Sequence, residues 1–302
     1  MGNCESGKNT RSQSPPSSNS SNLPYNNGNG SNYILPSNLA KYDNIKNYYN
    51  ISSSQIGEGT SAKVFEATNS NNEKFAIKRI SKEKIKDKTK AIREAEISLK
   101  LKHRNILNFF EIYEDSKFIY YVMECGKMDL FEYISKCPSQ IIPENTAIEF
   151  LIQMLESISF LHSNNIIHCD IKPENFILIF DKENIPIIKL FDFGSAIMKT
   201  NNNTQKFKGT LFYEAPEALN NFGYDEKIDE WGIGVIMYIM LLGEEPFDGE
   251  GLELENSIKY KRIEFEKIQN IGLRAVNEKL LCRNPSNRIS ARQGIEMLQK
   301  IK

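Results

Sequence analysis

The eight-residue segment HCDIKPEN, at His168–Asn175, constrains this 302-residue chain more than any other feature. It places a carboxylate at Asp170, an ammonium group two residues later at Lys172, and a neutral amide at Asn175. A carboxylate can orient a hydroxyl proton, and an ammonium group can neutralise charge on a phosphoryl group. The amide oxygen suits Mg²⁺, which prefers oxygen ligands, and the DFG tripeptide that begins at Asp192 supplies a charged oxygen ligand.

A glycine-containing turn, GEGTSAKV at Gly57–Val64, lies between two predicted strands. Glycine lets the backbone approach phosphate groups closely, with amides free to donate hydrogen bonds. Ala62 stands where a third glycine completes the usual phosphate-binding pattern. By itself, the turn fits an ordinary β-hairpin equally well.

A lysine on the following predicted strand is the natural partner of those phosphates. Lys78 stands between apolar neighbours, so a cleft that contains it must also supply a carboxylate, because an unpaired buried charge is costly. The helical segment that follows offers Glu94 and Glu96. The spacing to the turn at His103 favours Glu94, whereas Glu96 fits a solvated, charged helix face.

The order of β-rich and helical segments along the chain indicates two lobes. The β-rich stretches are Ile51–Ile56, Lys63–Thr68, Lys74–Ile80, Ile106–Tyr113 and Phe118–Met123, with one charged helical segment at Lys84–Lys100. After Asp129 the chain reads as mainly helical, with an amphipathic segment at Ala147–His162 and an apolar one at Ile228–Leu242. A strand-rich part followed by a helix-rich part predicts a cleft between two lobes.

Together, in this order and spacing, these motifs resemble the eukaryotic protein kinases over roughly residues 50–302, and among them the calcium/calmodulin-dependent and calcium-dependent protein kinases. The resemblance implies an α+β, bilobal protein kinase fold, with a small, mostly-β N-lobe at about 46–124 and a larger, α-helical C-lobe at about 125–302. It also implies ATP and Mg²⁺ in the cleft. Lys172 matches the serine/threonine kinases, so the implied enzyme is a protein serine/threonine kinase that acts on protein hydroxyls.

The resemblance assigns a role to each motif residue. It implies the catalytic residues Asp170, Lys172, Lys78 and Glu94, and the Mg²⁺ ligands Asn175 and Asp192. It implies the ATP-binding residues Ile56, Gly57, Glu58, Gly59, Thr60, Ser61, Ala62, Lys63, Val64, Ala76, Lys78, Met123, Glu124, Cys125, Asp129 and Ile177. On the substrate side it implies Thr210 beside Asp170, Glu214 in the loop that receives the residue after the phosphoacceptor, and Glu217 in an ion pair with Arg288. Asp229 would brace the catalytic segment.

Three departures from the family pattern predict how this kinase differs. Cys169 replaces the arginine that usually binds an activation-loop phosphate, so a phosphate on Thr200 or Thr204 would lose its main bidentate partner. We therefore expect activity that does not depend strongly on phosphorylation of that loop. Ser98 replaces an apolar residue between the lobes, which predicts a less firmly held helix. Glu214 predicts a preference for a basic or polar substrate residue.

The N-terminal segment at 1–45 is predicted to be disordered, because it is dense in Ser, Asn, Pro and Gly. Its first residues fit the N-myristoylation pattern at Gly2, and Cys4 is well placed for palmitoylation. One myristoyl chain binds membranes only marginally, so a second signal is required. A fortuitous match in a tail is the alternative. We expect a doubly acylated chain on the cytoplasmic face of a membrane, most naturally the plasma membrane.

The bulk composition limits which partners, cellular compartments and metal sites are expected for this chain. With 38 Lys+Arg and 39 Asp+Glu, the net charge is −1 and gives no argument for a nucleic-acid partner. The five cysteines form no CxxC pair, which favours a reduced, intracellular chain without a zinc site or disulfides. No apolar run reaches the roughly 20 residues of a membrane-spanning helix. No calcium-binding loop pattern occurs before the last residue, Lys302, so direct calcium regulation in cis is not expected.

Two rival classes stay open at this point. A kinase-like scaffold without catalysis would lack equivalents of Lys78, Asp170 or Asp192, and all three are present. The segments at 209–217 and 228–242 resemble the part of protein kinases that binds the protein substrate, which argues against a phosphotransferase that acts on small molecules. The sequence predicts no particular oligomeric state.

Overall fold

Five antiparallel strands form the sheet of the N-lobe, in a computed structural model that describes residues 33–58, 62–181, 183–199, 210–220 and 223–302. They are β1 (Tyr49–Glu58), β2 (Ala62–Asn69), β3 (Lys74–Ser81), β4 (Phe109–Glu114) and β5 (Phe118–Glu124), in spatial order β1-β2-β3-β5-β4. Lys78 pairs with Val64 on one side and with Tyr121 on the other. Because side chains alternate between faces, Ala76 and Lys78 share one face of the sheet and Ile77 lies on the other.

One helix, α1 (Lys88–Lys100), lies between β3 and β4 in the chain. It begins later than the predicted Lys84, because Lys82–Lys84 forms a separate 3-10 turn and Asp87 caps the helix by accepting a hydrogen bond from Lys90 N. Its buried side chains are Ala95, Ile97 and the polar Ser98, and Ile92 and Leu99 pack against the core while partly exposed.

The predicted strand at Ile106–Tyr113 begins three residues later in the structure, at Phe109. Ile106 instead forms a parallel bridge with Leu190 of the C-lobe, and the Leu107 amide donates to the Leu190 carbonyl. These residues connect the two lobes, so their backbone groups are not available to the N-lobe sheet.

Helices dominate the C-lobe among the described residues. They are α2 (Leu130–Lys136), α3 (Glu144–Ser163), α4 (Pro216–Leu219), α5 (Lys227–Leu242), α6 (Leu252–Tyr260), α7 (Ile271–Leu280) and α8 (Ala291–Gln299). The i, i+3, i+4 spacing of apolar residues in α3 buries one face of that helix against α5 and α8. α5 is buried almost all round, including Trp231, as its apolar composition predicts. Within the described ranges, no helix combines the length and apolar composition needed to span a bilayer.

Short strands place the two motif-bearing loops side by side. They are β6 (Met128–Asp129), β7 (Ile166–Ile167), β8 (Phe176–Phe180), β9 (Pro186–Leu190) and β10 (Ile197–Met198). The segment His168–Asn175 joins β7 to β8, and Asp192 follows β9. Because Phe176 pairs with Leu190 in antiparallel register, the end of one loop meets the start of the other. The Phe191 amide accordingly donates to the Asn175 carbonyl at 3.0 Å.

The packed chain begins well before residue 46, the boundary that composition predicts. Leu35 and Ala40 are buried, with 2% and 4% of their surface exposed, and Ile45 is buried at the start of a 3-10 turn. Lys41 forms a parallel bridge with Tyr113 on β4. The part of the tail from residue 33 onward therefore belongs to the N-lobe, and its few apolar residues are the ones that pack.

Candidate active site

Lys78 is the centre of a charge cluster that joins three elements. Its Nζ lies 3.2 Å from Glu94 Oε1 on α1 and 3.1 Å from Asp192 Oδ1 after β9. The sequence argument for Glu94 over Glu96 is thus supported by the geometry. Burial acts to lower the pKa of Lys78, but the charges of Asp192 and Glu94 outweigh it and hold that pKa above its usual value. Lys78 in turn lowers the pKa of Asp192 to about 2.

A second cluster surrounds Asp170. Thr210 donates from both its backbone N and its Oγ1 to Asp170 Oδ1, each at 3.3 Å. Lys172 Nζ lies 2.9 Å from Asp170 Oδ2 and 3.1 Å from Thr210 Oγ1. Asn175 Nδ2 donates to the Asp170 carbonyl at 2.7 Å and to its Oδ2 at 3.2 Å. The carboxylate is therefore fixed in place from three sides.

Asn175 and Asp192 form a donor set that fits Mg²⁺. The amide nitrogen of Asn175 is engaged by Asp170, which turns the carbonyl oxygen into the atom available to a cation. Asp192 carries a carboxylate that stays ionised at neutral pH because Lys78 lowers its pKa. One neutral and one charged oxygen, on loops that meet at Phe191, match the ligands that Mg²⁺ prefers.

Asp229, at the start of α5, braces the catalytic segment from below. It is 1% exposed, and its two oxygens accept the backbone amides of His168 at 2.9 Å and Cys169 at 3.0 Å. Cys169 has a positive φ of 64°, a conformation that needs such outside support. The bracing role that the sequence comparison with kinases implies for Asp229 thus has a direct geometric basis.

The sequence reasoning missed His162 and Glu230, which complete this brace. His162 Nε2 lies 2.9 Å from Asp229 Oδ2, and Nδ1 lies 3.4 Å from Glu230 Oε1. Burial acts to lower the pKa of His162, but hydrogen bonds to Asp229 and Glu230 raise it to about 10. His162 is therefore an imidazolium at neutral pH. No local sequence signal points to it, because His162 lies at the end of α3 and both of its partners lie on α5.

A column of aromatic rings connects the lobes behind the charge clusters. The Phe193 ring lies 5.6 Å from His168 and 6.5 Å from Phe109 on β4, centroid to centroid. α1 packs against the turn that contains Phe193, and its buried Ser98 is 2% exposed. The hydroxyl-bearing side chain therefore occupies a core position on α1, as expected from the sequence.

The residues predicted to meet the adenosine of ATP line the junction of the lobes. Met123 is 5% exposed at the end of β5, and the Glu124 side chain pairs with Lys189 at 2.9 Å. The Glu124 amide also donates to the Asn108 carbonyl at 2.9 Å, so neither the carboxylate nor the amide of Glu124 is left for a nucleotide. Asp129 caps α2 by accepting a hydrogen bond from Glu132 N at 2.7 Å, and burial raises its pKa.

The glycine turn is described only in part. Ile56 is 50% exposed, and Glu58 pairs with Lys63 across β1 and β2 at 3.4 Å. Val64 and Ala76 lie on the face that carries Lys78, and Ile177 packs against Gly126, which leaves no space for a side chain there. The predicted residues Gly59, Thr60, Ser61, Gly2 and Cys4, and the loop threonines Thr200 and Thr204, lie outside the described residues.

The substrate side contains one firm ion pair and one carboxylate without a cationic partner. Arg288 Nη1 and Nη2 donate to Glu217 at 2.6 and 3.0 Å, and the guanidinium lies 5.0 Å from the centre of the Trp231 ring. Glu214 is half-buried, and no described lysine or arginine forms an ion pair with it. Burial, with the charges of Glu255 and Asp170, raises the pKa of Glu214 to about 7.

Comparison with known proteins agrees with this geometry. The protein kinase domain family matches residues 50–298. Calcium-dependent protein kinase 5 of Plasmodium berghei is 36% identical over 215 residues, which are 70% of this chain and 38% of that protein. Calcium-dependent protein kinase 3 of Plasmodium yoelii yoelii is 38% identical over 211 residues, 68% of this chain and 38% of that protein. The Aurora kinase of Schizosaccharomyces pombe is 34% identical over 207 residues, 67% and 56% of the two chains.

The chain therefore belongs to the protein kinase family. The predicted bilobal α+β kinase fold is confirmed, and so are the likeness to calcium-dependent kinases and the enzyme class of protein kinase. Use of ATP with Mg²⁺ follows for the family in general. The chain spans about two fifths of the length of the calcium-dependent kinases it matches. The roles of individual site residues stay predictions.

Proposed function

We propose that this chain transfers the γ-phosphoryl group of ATP to serine and threonine hydroxyls of proteins. The observation that carries the proposal is the double pairing of Lys78 with Glu94 and Asp192. It joins β3, α1 and the DFG turn in one arrangement, so the groups that would hold phosphate and Mg²⁺ are assembled together. Substrates follow from the family, and no observation favours the scaffold or a small-molecule phosphotransferase.

Each cluster has a distinct task in this proposal. Asp170 accepts the proton of the attacking hydroxyl, and Thr210 holds the Asp170 carboxylate in the orientation for that transfer. Lys172 neutralises charge on the transferred phosphoryl group. Lys78 orients the α- and β-phosphates of ATP, while Asn175 and Asp192 hold Mg²⁺, which supplies charge neutralisation on the phosphates when bound.

We also propose that the active arrangement does not require a phosphate on the activation loop. Cys169 stands where a phosphate-binding arginine would precede Asp170, and its thiol is buried, 5% exposed. Burial raises the pKa of Cys169, so the group is a neutral thiol that offers nothing to a phosphate.

A membrane location is a further part of the proposal. The support is the N-myristoylation pattern at Gly2 with Cys4 two residues on, and two acyl chains suffice for stable anchoring. Substrates would then be proteins at the cytoplasmic face of a membrane.

The test is transfer of ³²P from ATP-Mg²⁺ to basic serine/threonine peptides by the full chain, with and without calcium. Asp170→Asn keeps the shape of the site but removes the proton acceptor, so we expect kcat to fall by about 10²–10⁴-fold. A Thr200→Ala/Thr204→Ala double variant should retain most activity. Transfer that survives in Asp170→Asn, or that disappears in the double variant, would contradict the corresponding part of the proposal.

A further inference from the structure

Residues Tyr33–Asn47 form a strap that runs across the edge of the N-lobe sheet before β1 begins. The strap is joined to β4 by backbone bonds, since Lys41 N donates to the Ile112 carbonyl at 2.8 Å and Glu114 N donates to the Lys41 carbonyl at 2.9 Å. Tyr33 and Tyr42 stack on each other at 4.0 Å. The strap is thus an ordered part of the lobe.

A buried carboxylate fastens this strap. Glu114, at the end of β4, is 0% exposed, and its Oε1 and Oε2 accept the backbone amides of Ile34 at 2.6 Å and Leu35 at 2.8 Å. Lys82 Nζ lies 2.8 Å from the same carboxylate and is itself 10% exposed. Two amides and one ammonium group therefore satisfy the buried charge. We name these four residues the clasp.

Lys82 is the member of the clasp that leads to the active site. It is the first residue after β3, which carries Lys78, and it opens the connection to α1, which carries Glu94. Its Nζ also donates to the Asp115 carbonyl at 3.0 Å and lies 5.2 Å from the centre of the Tyr33 ring. The connection between β3 and α1 is therefore attached at its start to β4 and to the strap.

α1 is attached to the lobe by a mixed set of side chains. Ala95, Ile97 and the polar Ser98 are buried, and Ile92 and Leu99 pack against the core while partly exposed. Because a hydroxyl group occupies one of the three buried positions, α1 has alternative positions close in free energy, and a polar tie in the connection before it changes their populations.

We propose that Glu114 is a positioning residue, which through Lys82 holds α1 in the pose where Glu94 pairs with Lys78. The strap shares in this role because Ile34 and Leu35 complete the hydrogen bonds of the Glu114 carboxylate. The kinetic consequence rests on the proposed kinase activity, whereas the effect on α1 does not.

The primary test is amide hydrogen exchange in the full chain, compared between wild type and Glu114→Gln. We expect exchange in α1 (Lys88–Lys100) to accelerate by about tenfold or more, the size expected when a charge-assisted hydrogen bond is lost. Exchange in α5 (Lys227–Leu242) should not change. Because Glu114 is fully buried, Lys82→Met provides a second variant that breaks the same tie from its partly exposed end, and Lys82→Arg should restore protection.

Glu111→Gln is the matched control. Glu111 lies on the same strand and binds the strap through Lys41 Nζ at 2.7 Å, but no contact joins it to the connection between β3 and α1 in the described residues. Faster α1 exchange in Glu111→Gln equal to that in Glu114→Gln would overturn the proposal, and so would unchanged α1 exchange in Lys82→Met.

Kinetics distinguish this inference from the proposed function. In Lys82→Met we expect kcat to fall by about tenfold with little change in the KM of the peptide, because fewer molecules hold Glu94 against Lys78 at any moment. If the wild-type chain transfers no phosphate but α1 exchange still depends on Lys82 and not on Glu111, the positioning role stands and the proposed function fails. If transfer occurs and kcat in Lys82→Met equals that of wild type, the positioning role fails.

Discussion

Glu214 is the carboxylate that we expect to influence substrate preference. It lies four residues after Thr210, which binds Asp170, and no described cation pairs with it. A carboxylate in that environment is costly to ionise, which explains why its pKa is raised to about 7. A cationic substrate side chain near the phosphoacceptor would supply the missing partner.

The preference for that substrate side chain should therefore depend on pH. Glu214 is largely protonated below pH 6 and largely ionised above pH 8, given its pKa of about 7. We expect the ratio of kcat/KM for a peptide with arginine after the serine, relative to leucine, to rise by about fivefold between those pH values. The measurement is peptide phosphorylation at several pH values with both peptides.

Glu214→Gln is the control for that prediction, because it keeps the size of the side chain without the titration. Its ratio should stay flat from pH 6 to pH 8. A wild-type ratio that is equally flat would show that Glu214 does not face the substrate. The stability of the fold should change with pH in the other direction from the arginine preference. Because the pKa of Glu214 is raised on folding, its protonated form stabilises the folded state fully below pH 4.5, and this stabilisation is lost as the pH rises towards 7.

Single residues divide into those that sequence could predict and those it could not. Lys78, Asp170 and Asp192 stand in short motifs whose chemistry is local, so their types and spacing suffice. His162 and Glu230 could not be predicted, because the partner of His162 lies 67 residues away at Asp229. Nothing in the sequence reports which buried charges meet across helices.

Buried polar groups join individual elements of the described structure, and the Glu217–Arg288 pair is one such link. Arg288 is 0% exposed in its side chain and joins α4 to the turn before α8. It also donates to the carbonyls of Cys282 at 2.9 Å and Lys227 at 2.7 Å. The guanidinium thus donates four hydrogen bonds, and its loss would leave their acceptors unpaired.

Arg288→Met should lower the free energy of unfolding by about 3–5 kcal/mol, because it leaves the Glu217 carboxylate, only 13% exposed, without its partner. Urea denaturation of the purified chain measures this. Arg262→Met is the comparison, since Arg262 pairs with Glu266 at 2.6 Å but is 82% exposed. That variant should change the free energy by less than about 1 kcal/mol. Equal effects from both variants would contradict a special structural role for Arg288.

The ends of helices and strands are predicted less accurately from the sequence than their centres. Residue composition predicts the centres of β1–β5 and α5, and the helical spacing of apolar residues predicts α3, but α1 begins at Lys88 rather than Lys84. The strap at Tyr33–Asn47 looked like part of a polar tail, since only isolated apolar residues such as Leu35 mark it. Its order depends on Glu114, about 80 residues away, which no local pattern records.

At the scale of the whole molecule, the protein kinase domain occupies residues 50–298, and the segment before it contains the predicted sites of membrane attachment. A single myristoyl chain gives only marginal binding to a bilayer, and a second acyl chain makes the attachment stable. In the proposed attachment, Gly2 and Cys4 would each carry one of these acyl chains. The N-terminal pattern therefore predicts location, while the kinase domain predicts the chemistry.

For the full chain produced in eukaryotic cells, we expect sedimentation with membranes and incorporation of labelled myristate. Gly2→Ala removes the myristoylation site, and the chain should move to the soluble fraction. Cys4→Ser should give an intermediate distribution, because one acyl chain of about 0.8 kcal/mol per buried CH₂ still binds reversibly. Cys137→Ser, which removes a partly exposed thiol from the folded domain, is the matched control and should leave the distribution unchanged.

A Gly2→Ala chain that stays with the membranes would show that the N-terminal pattern is fortuitous. Peptide phosphorylation by the same preparations would establish that the kinase domain is intact in every variant.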